Sequence, residues 1–234
     1  MPGIQWGHFD RILTPAFWKV QCWLREQVSP EPPNLRVADT LRDEAIACAL
    51  GGYGIPAEVG YAAYFALLDK GLLVPGTPED VLQAALSERL LVRGRTVHYR
   101  FPRQRATRIA KILRIFDEEN VPSVEDVPRL LCWLKELPGV GQKTAAWILR
   151  NVNPQGQFAV IDVHIFRAGC AVGLFRDDDN IDRDYDRLES RYLAFCGELE
   201  VSPARLDVVM WRTMKDLGRY GIEVARSMTR RAPA

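Results

Sequence analysis

No apolar run in the 234 residues approaches the roughly 18 needed to cross a bilayer, so the sequence predicts no membrane segment. Histidine is scarce, at three, and cysteine amounts to five: Cys22, Cys48, Cys132, Cys170 and Cys196. No two of these form a CxxC pair. The spacing predicts buried free thiols and speaks against a disulfide framework or a zinc knuckle. An excess of one charge is also missing: 31 Lys+Arg face 30 Asp+Glu, a formal net charge of +1. That argues against a basic coater of nucleic acid, and the 47% hydrophobic content against a disordered chain. The opening MPGIQWGHFDRILTP lacks the charged and apolar regions of a signal peptide, so a cytoplasmic location is expected. No repeat of fixed period is present, and Thr96 to Phe101 is the single, weak strand-like stretch.

What is there is helical spacing. Thr14 to Val28 carries apolar residues on one face and ends at a Pro-rich breaker. Thr40 caps a helix to Ala49, with Asp43 in the capping-box position, and Gly51-Gly52-Tyr53-Gly54-Ile55-Pro56 stops it. Further helices are predicted over 57–70, 78–86, 103–119, 124–134, 142–152, 160–172, 185–199 and 204–218. Asp177 to Asp186 reads as a solvated acidic loop, and the tail SMTRRAPA as frayed. The fold class is all-α. The length allows one large domain or two small ones.

One segment carries chemistry. In LKELPGVGQKTAAWILRN, a helix ends near Glu136, Pro138-Gly139-Val140-Gly141 makes a hairpin, and a second helix opens at Gln142. Unpartnered N–H groups at such a helix start, beside the positive end of its dipole, suit a phosphate. An ordinary tight turn between helices explains the same tetrad. Nineteen residues after Lys143 stands Asp162, in Val160-Ile161-Asp162-Val163-His164-Ile165, ahead of an apolar-periodic helix. Taken alone, Asp162 reads first as a helix N-cap.

Together the two segments resemble the helix-hairpin-helix DNA glycosylase superfamily, nearest to the compact bacterial and archaeal 8-oxoguanine glycosylase/AP lyases. Leu137 to Ala145 resembles the hairpin of that family, and Ile161 to Ile165 its catalytic aspartate segment. The likeness runs weakly from about residue 40 to 220, and Leu206 to Trp211 resembles the family's C-terminal helix. The resemblance implies a two-subdomain helical fold with the active site in the cleft between subdomains. It divides the chain into an N-terminal segment 1–40 packing with the C-terminal helices, a six-helix-barrel subdomain 41–135, the hairpin and catalytic segment 136–165, and a C-terminal helical subdomain 166–234.

It also implies roles. Lys143 is the nucleophile and Asp162 its electrostatic partner, a carboxylate that stabilises positive charge developing at the sugar C1′. Partial desolvation and the positive helix start favour the free amine for attack, and the resulting Schiff base permits strand nicking by β-elimination. Gly139, Val140, Gly141, His164 and Arg167 face DNA phosphates, with Tyr53 or Ile55 as the wedge that fills the vacated base stack. Trp147 and Trp211 line a base pocket whose Asp207 accepts from a guanine-type edge, although core packing explains both tryptophans as well. The partner is double-stranded DNA carrying a damaged or modified base, and the chain acts as a monomer without a resident metal. A monovalent cation at the Gly139 and Gly141 carbonyls belongs to the same likeness. No iron–sulfur cluster is expected, because only Cys170 and Cys196 lie beyond the hairpin. The function so implied is excision of an oxidised purine. The alternatives are another modified base, alkylated or hypermodified, and a silent helix-hairpin-helix DNA binder. The retained Lys143 and Asp162 speak against the last.

The neutral total hides a polarised sequence. From Arg89 to Arg114 stand eight Arg and one Lys with no acid. This segment is expected on the side that meets DNA.

Overall fold

The computed structural model describes residues 3–52 and 54–230, with the backbone alone at 219, 220, 222 and 224–230. Tyr53, one of the two wedge candidates, and residues 231–234 of the tail lie outside the described residues. The chain divides into two compact units, Leu35–Asn153 and Met1–Asn34 with Pro154–Ala234. The division falls inside the span 136–165 that the sequence reading holds together.

The central unit begins with α2 (Leu41–Leu50), whose N-cap Thr40 accepts from Asp43 N. The Asp43 carboxylate itself turns to Arg42, so the capping box is only half made. Then follow α3 (Ala57–Asp69), α4 (Glu79–Ser87), a two-stranded antiparallel hairpin of β1 (Arg89–Val92) and β2 (Arg95–His98), α5 (Pro102–Glu118), α6 (Val127–Glu136) and α7 (Gln142–Val152). The strand expected at 96–101 begins one residue earlier and finds a partner the spacing did not announce. Arg93 and Gly94 both take positive φ, 50° and 75°, the geometry of a two-residue turn whose twist matches the strands. Ile46, Leu50, Leu67, Leu82, Leu86, Ile109, Leu113, Leu130, Leu134, Ile148 and Leu149 form this unit's buried apolar interior.

A buried carboxylate ties this unit together. Glu44 on α2 is fully buried and accepts from Val37 N, Ala38 N and the Asn151 side chain at 2.8, 2.9 and 2.6 Å. Its partners satisfy the charge that burial would otherwise penalise. The bond to Asn151 locks the end of α7 against the first turn of α2.

The second unit holds α1 (Pro15–Val28), α8 (Val163–Ala171), α9 (Tyr185–Leu199) and α10 (Pro203–Arg230). Thr14 caps α1 by accepting from Phe17 N. α1, α8 and α9 pack against α10 around Trp18, Ile165, Leu188, Tyr192, Phe195, Leu206 and Met210. Arg205 on α10 donates to the carbonyls of Ser29, Pro30 and Glu31, each at 2.9 Å, and anchors the chain leaving α1. Gly218 does not end α10 as its spacing suggests; it kinks the helix at φ 59°, ψ −170°, and helical backbone continues to Arg230. Residues 227–230 of the tail expected to fray are therefore helical.

The acidic stretch 177–186 is more than a solvated loop. Arg187 pairs with Asp179 at 2.8 Å and Arg183 with Asp184 at 3.0 Å. The Arg183 hydrogen bond and the Asn180 amide hold the Asp184 carboxyl down at about 2. Cys22, Cys48 and Cys196 are buried free thiols, Cys132 is exposed and Cys170 half-buried. Burial pushes the Cys22 thiol up to about 12, which leaves it unreactive at neutral pH.

Candidate active site

In the central unit the hairpin joins α6 to α7 as the sequence predicts. Val140 is buried (4% exposed) and its N–H donates to Leu137 O at 3.0 Å, so the apolar residue of the tetrad plugs the turn into the interior. Gly139 is exposed at φ 79°, a conformation that costs a side chain about 1–2 kcal/mol. A Cβ there would also meet the Arg108 side chain at 2.6 Å. Gly141 is the N-cap of α7 and supplies no side chain to the orphan amides of the first turn. The structure thus sets an arginine of α5 beside an uncapped helix start, two sources of positive character at one turn. Gly139→Ala is expected to lower stability by about 1–2 kcal/mol and to weaken duplex binding, checked by thermal unfolding and fluorescence anisotropy.

Lys143 occupies the second position of α7 and is half-buried. Trp147 lies one turn on, on the same helix face. Its ring meets the Gly-rich loop: a Cβ on Gly51 would stand 3.0 Å from the Trp147 ring, and one on Gly60 3.0 Å from Gly51 Cα. Only glycines permit α2, α3 and α7 to approach this closely. Ile55, the other wedge candidate, is buried at 8% exposure, which suits a core residue of this loop.

The same loop is held by two residues to which the sequence reading assigned no such role, Tyr99 of the strand-like stretch and Arg105 of the basic helix. Arg105, buried, donates to Ala49 O at 2.7 Å and Gly51 O at 3.2 Å, and Tyr99 donates to Leu50 O at 2.6 Å. They satisfy the last carbonyls of α2, where a helix presents its negative end. Burial lowers the Arg105 pKa and raises that of Tyr99. Arg100 lies against Gly54 and over the Phe101 ring, 4.7 Å from its centroid. Phe101 takes a left-handed conformation, φ 69°, ahead of Pro102, and stays 41% exposed. The same residue is the N-cap of α5. Its signal in the sequence was the run Arg100-Phe101-Pro102 opening a helix.

In the other unit Asp162 is the N-cap of α8. One carboxylate oxygen accepts from His164 N at 2.8 Å and Ile165 N at 2.9 Å. Capping and a chemical role do not compete here, because the second oxygen has no partner among the described residues. Tyr185 braces the chain just before it: the phenol donates to Ala159 O at 2.7 Å and accepts from Ile161 N at 3.3 Å. Burial raises the Tyr185 pKa, so it stays a neutral donor. Tyr185→Phe is expected to lower stability by about 1–3 kcal/mol through an unpaired Ala159 carbonyl. Because Tyr185 fixes the backbone ahead of Asp162, steady-state kinetics are expected to show a lower turnover at unchanged KM.

His164 stands edge-on to Trp211, with ring centroids 5.9 Å apart, and Lys215 lies over the Trp211 ring at 4.6 Å. The buried Nδ1 of His164 has no hydrogen-bond partner among the described residues. Asp207 is 2% exposed one turn before the half-buried Trp211, and its charge acts on Tyr185 and Tyr192. Arg167 is exposed on α8.

The 8-oxoguanine DNA glycosylase of Thermotoga maritima superposes with a TM-score of 0.66 at 24% identity, over 85% of this chain and 96% of that one. That of Methanocaldococcus jannaschii gives 0.66 at 20% identity, over 86% and 94%. The M. jannaschii 8-oxoguanine glycosylase/lyase in complex with 15mer DNA containing 8-oxoguanine gives 0.60 at 24%, over 75% and 81%. These likenesses establish the helical glycosylase fold. Curated protein sequences yield no match. The model of the Ogg-HhH family, described as 8-oxoguanine DNA glycosylase, matches residues 58–201, more than half of the chain and the stretch that holds both Lys143 and Asp162. The chain belongs to the Ogg-HhH family of 8-oxoguanine DNA glycosylases.

Proposed function

We propose that this DNA glycosylase excises an oxidised purine of the 8-oxoguanine type from duplex DNA and then nicks the strand through a Schiff base on Lys143. The observation that carries the reading is Lys143 itself, half-buried in the first turn of an uncapped helix, inside the stretch that matches the 8-oxoguanine family. A binding module has no need of an amine at that place.

In this mechanism the Lys143 amine attacks C1′ as the glycosidic bond breaks. The electron pair of that bond leaves with the base, which takes up a proton. Asp162, oriented by its two cap hydrogen bonds, stabilises the positive charge that grows on the sugar. Ring opening leaves an imine at C1′, loss of a C2′ proton expels the 3′ phosphate, and water frees the lysine. The target must leave the stack first. Arg100 and Phe101, exposed beside the Gly-rich loop, supply a cation and a flat face for the opened helix, and Tyr53 stays a candidate in the same loop. Gly139, Gly141 and Arg108 hold a phosphate, with Val140 seating the turn and His164 and Arg167 as further backbone contacts. Trp147, Trp211 and Asp207 are the residues assigned to contact the base. Because Asp207 is buried, it reads only a base that enters the protein interior. The protein acts as a monomer.

A monovalent cation at the hairpin fits the donors only in part. Gly139 O has no partner among the described residues, but Gly141 O accepts from Ala145 N at 2.9 Å, and Arg108 already brings positive charge against Gly139. No step is assigned to such an ion.

The test is a panel of duplexes, each with one lesion, incubated with the protein and borohydride. A covalent adduct with the 8-oxoguanine duplex is expected. Trapping on an alkylated base instead overturns the substrate, and trapping on none overturns the lysine chemistry.

A further inference from the structure

The β1–β2 hairpin is not used by the chemistry above. Its register pairs Arg89 with His98, Leu90 with Val97, Leu91 with Thr96 and Val92 with Arg95. Alternation along paired strands gives two faces. Leu90, 5% exposed, points inward, and Tyr99 follows β2 on the same side to reach Leu50 O. The outward face carries Arg89, Leu91, Thr96 and His98, all exposed, and Leu91 reaches 75%. Arg95 is exposed as well, and Arg93 at the tip pairs with Glu58 at 2.6 Å.

Charge on this face has one sign. Glu88, the acid just before β1, is paired with Lys70 at 3.0 Å, and the Glu58 carboxylate is taken by Arg93. Among the described residues Arg89 and Arg95 have no ion pair. The outward side of β2 continues from His98 to Arg100, which lies over Phe101 and against Gly54 of the Gly-rich loop. On the outward face Leu91 beside the unpaired Arg89 guanidinium fits a deoxyribose next to a phosphate, and the face is continuous through Arg100 with the Gly-rich loop.

We infer that the outward face of the β1–β2 hairpin grips the sugar–phosphate backbone of the duplex beyond the lesion, with Arg89 on a phosphate and Leu91 on a sugar. The inference rests on the DNA glycosylase reading and adds a flanking contact to it. It gives the protein a grip that carries no sequence information and weakens with salt, suited to search.

The probe is duplex DNA with one uncleavable abasic-site analogue at its centre, in one form ending about half a turn from that site and in another running about two turns to each side, with binding read by anisotropy. The unaltered protein is expected to bind the long form more tightly, with a steeper dependence on salt. Arg89→Gln combined with Leu91→Glu is expected to weaken long-duplex binding about five- to tenfold at low salt and to lower the salt slope by about one. Leu91→Lys, which leaves the hairpin core untouched, is expected to tighten it. Unchanged long-duplex affinity in both variants overturns the inference, and so does an equal loss on both duplexes, which places the hairpin at the lesion. These readouts need no base excision, so they stand apart from the lesion panel.

Discussion

Lys143→Gln is expected to abolish the borohydride-trapped complex and to lower base excision by at least about a thousandfold. Glutamine keeps a polar side chain of similar reach and a similar helix propensity, so α7 is expected to form as before. What disappears is the amine, and with it the bond to C1′. Three measurements settle the matter: a gel shift for the adduct, single-turnover release of the base, and thermal unfolding to show that the fold persists. If the variant still traps, the nucleophile lies elsewhere. If it releases base at the original rate without trapping, water is the nucleophile and the Schiff base is not on the path.

The second large effect comes from Asp162, where geometry separates two roles. Asparagine is about as good an N-cap as aspartate, and its amide oxygen can accept from His164 N and Ile165 N as the carboxylate does. Asp162→Asn is therefore expected to leave stability within about 1 kcal/mol of the unaltered protein. The negative charge is gone, however, and excision is expected to fall about 10²–10³-fold, the loss typical of one preorganised electrostatic group. Asp162→Ala removes cap and charge together and should add about 0.5–2 kcal/mol of instability. Equal rates for Asp162→Asn and the unaltered protein would reduce Asp162 to a cap.

Local elements were legible because their causes are local. Thr40 announces a helix start and caps as expected, and Thr14, which opens the first helically spaced segment, proves to cap it as well. The tetrad at 138–141 makes its turn through backbone freedom that glycine alone supplies, and Gln142 opens α7 at the expected residue. Asp162 sits where a short acceptor must precede an apolar-periodic helix. Each of these is decided within four or five residues of chain.

Glu44, Arg105 and Tyr185 were not legible, and for one reason. As letters they are a first-turn acid, one arginine of a basic run and an aromatic at a helix start. In the fold, Glu44 meets Asn151 from 107 positions away, Arg105 reaches carbonyls more than 50 positions back, and Tyr185 holds two backbone groups some 25 positions before it. The strand Arg89–Val92 failed for a related reason: its two adjacent leucines break the alternation, and only the Arg93–Gly94 turn and the partner strand make it a strand.

The sequence by itself determined the helical class, the hairpin, the positions of Lys143 and Asp162, and through them the family. The tertiary structure alone decided the long-range supports: Glu44 and Asn151 at the end of α7, Tyr99 and Arg105 at the end of α2, Tyr185 ahead of Asp162, and Arg100 against the Gly-rich loop. Dihedral preference and capping act over one turn of chain and leave their mark in neighbouring letters. Burial and long-range hydrogen bonds depend on what the folded chain brings near, and no local pattern records them.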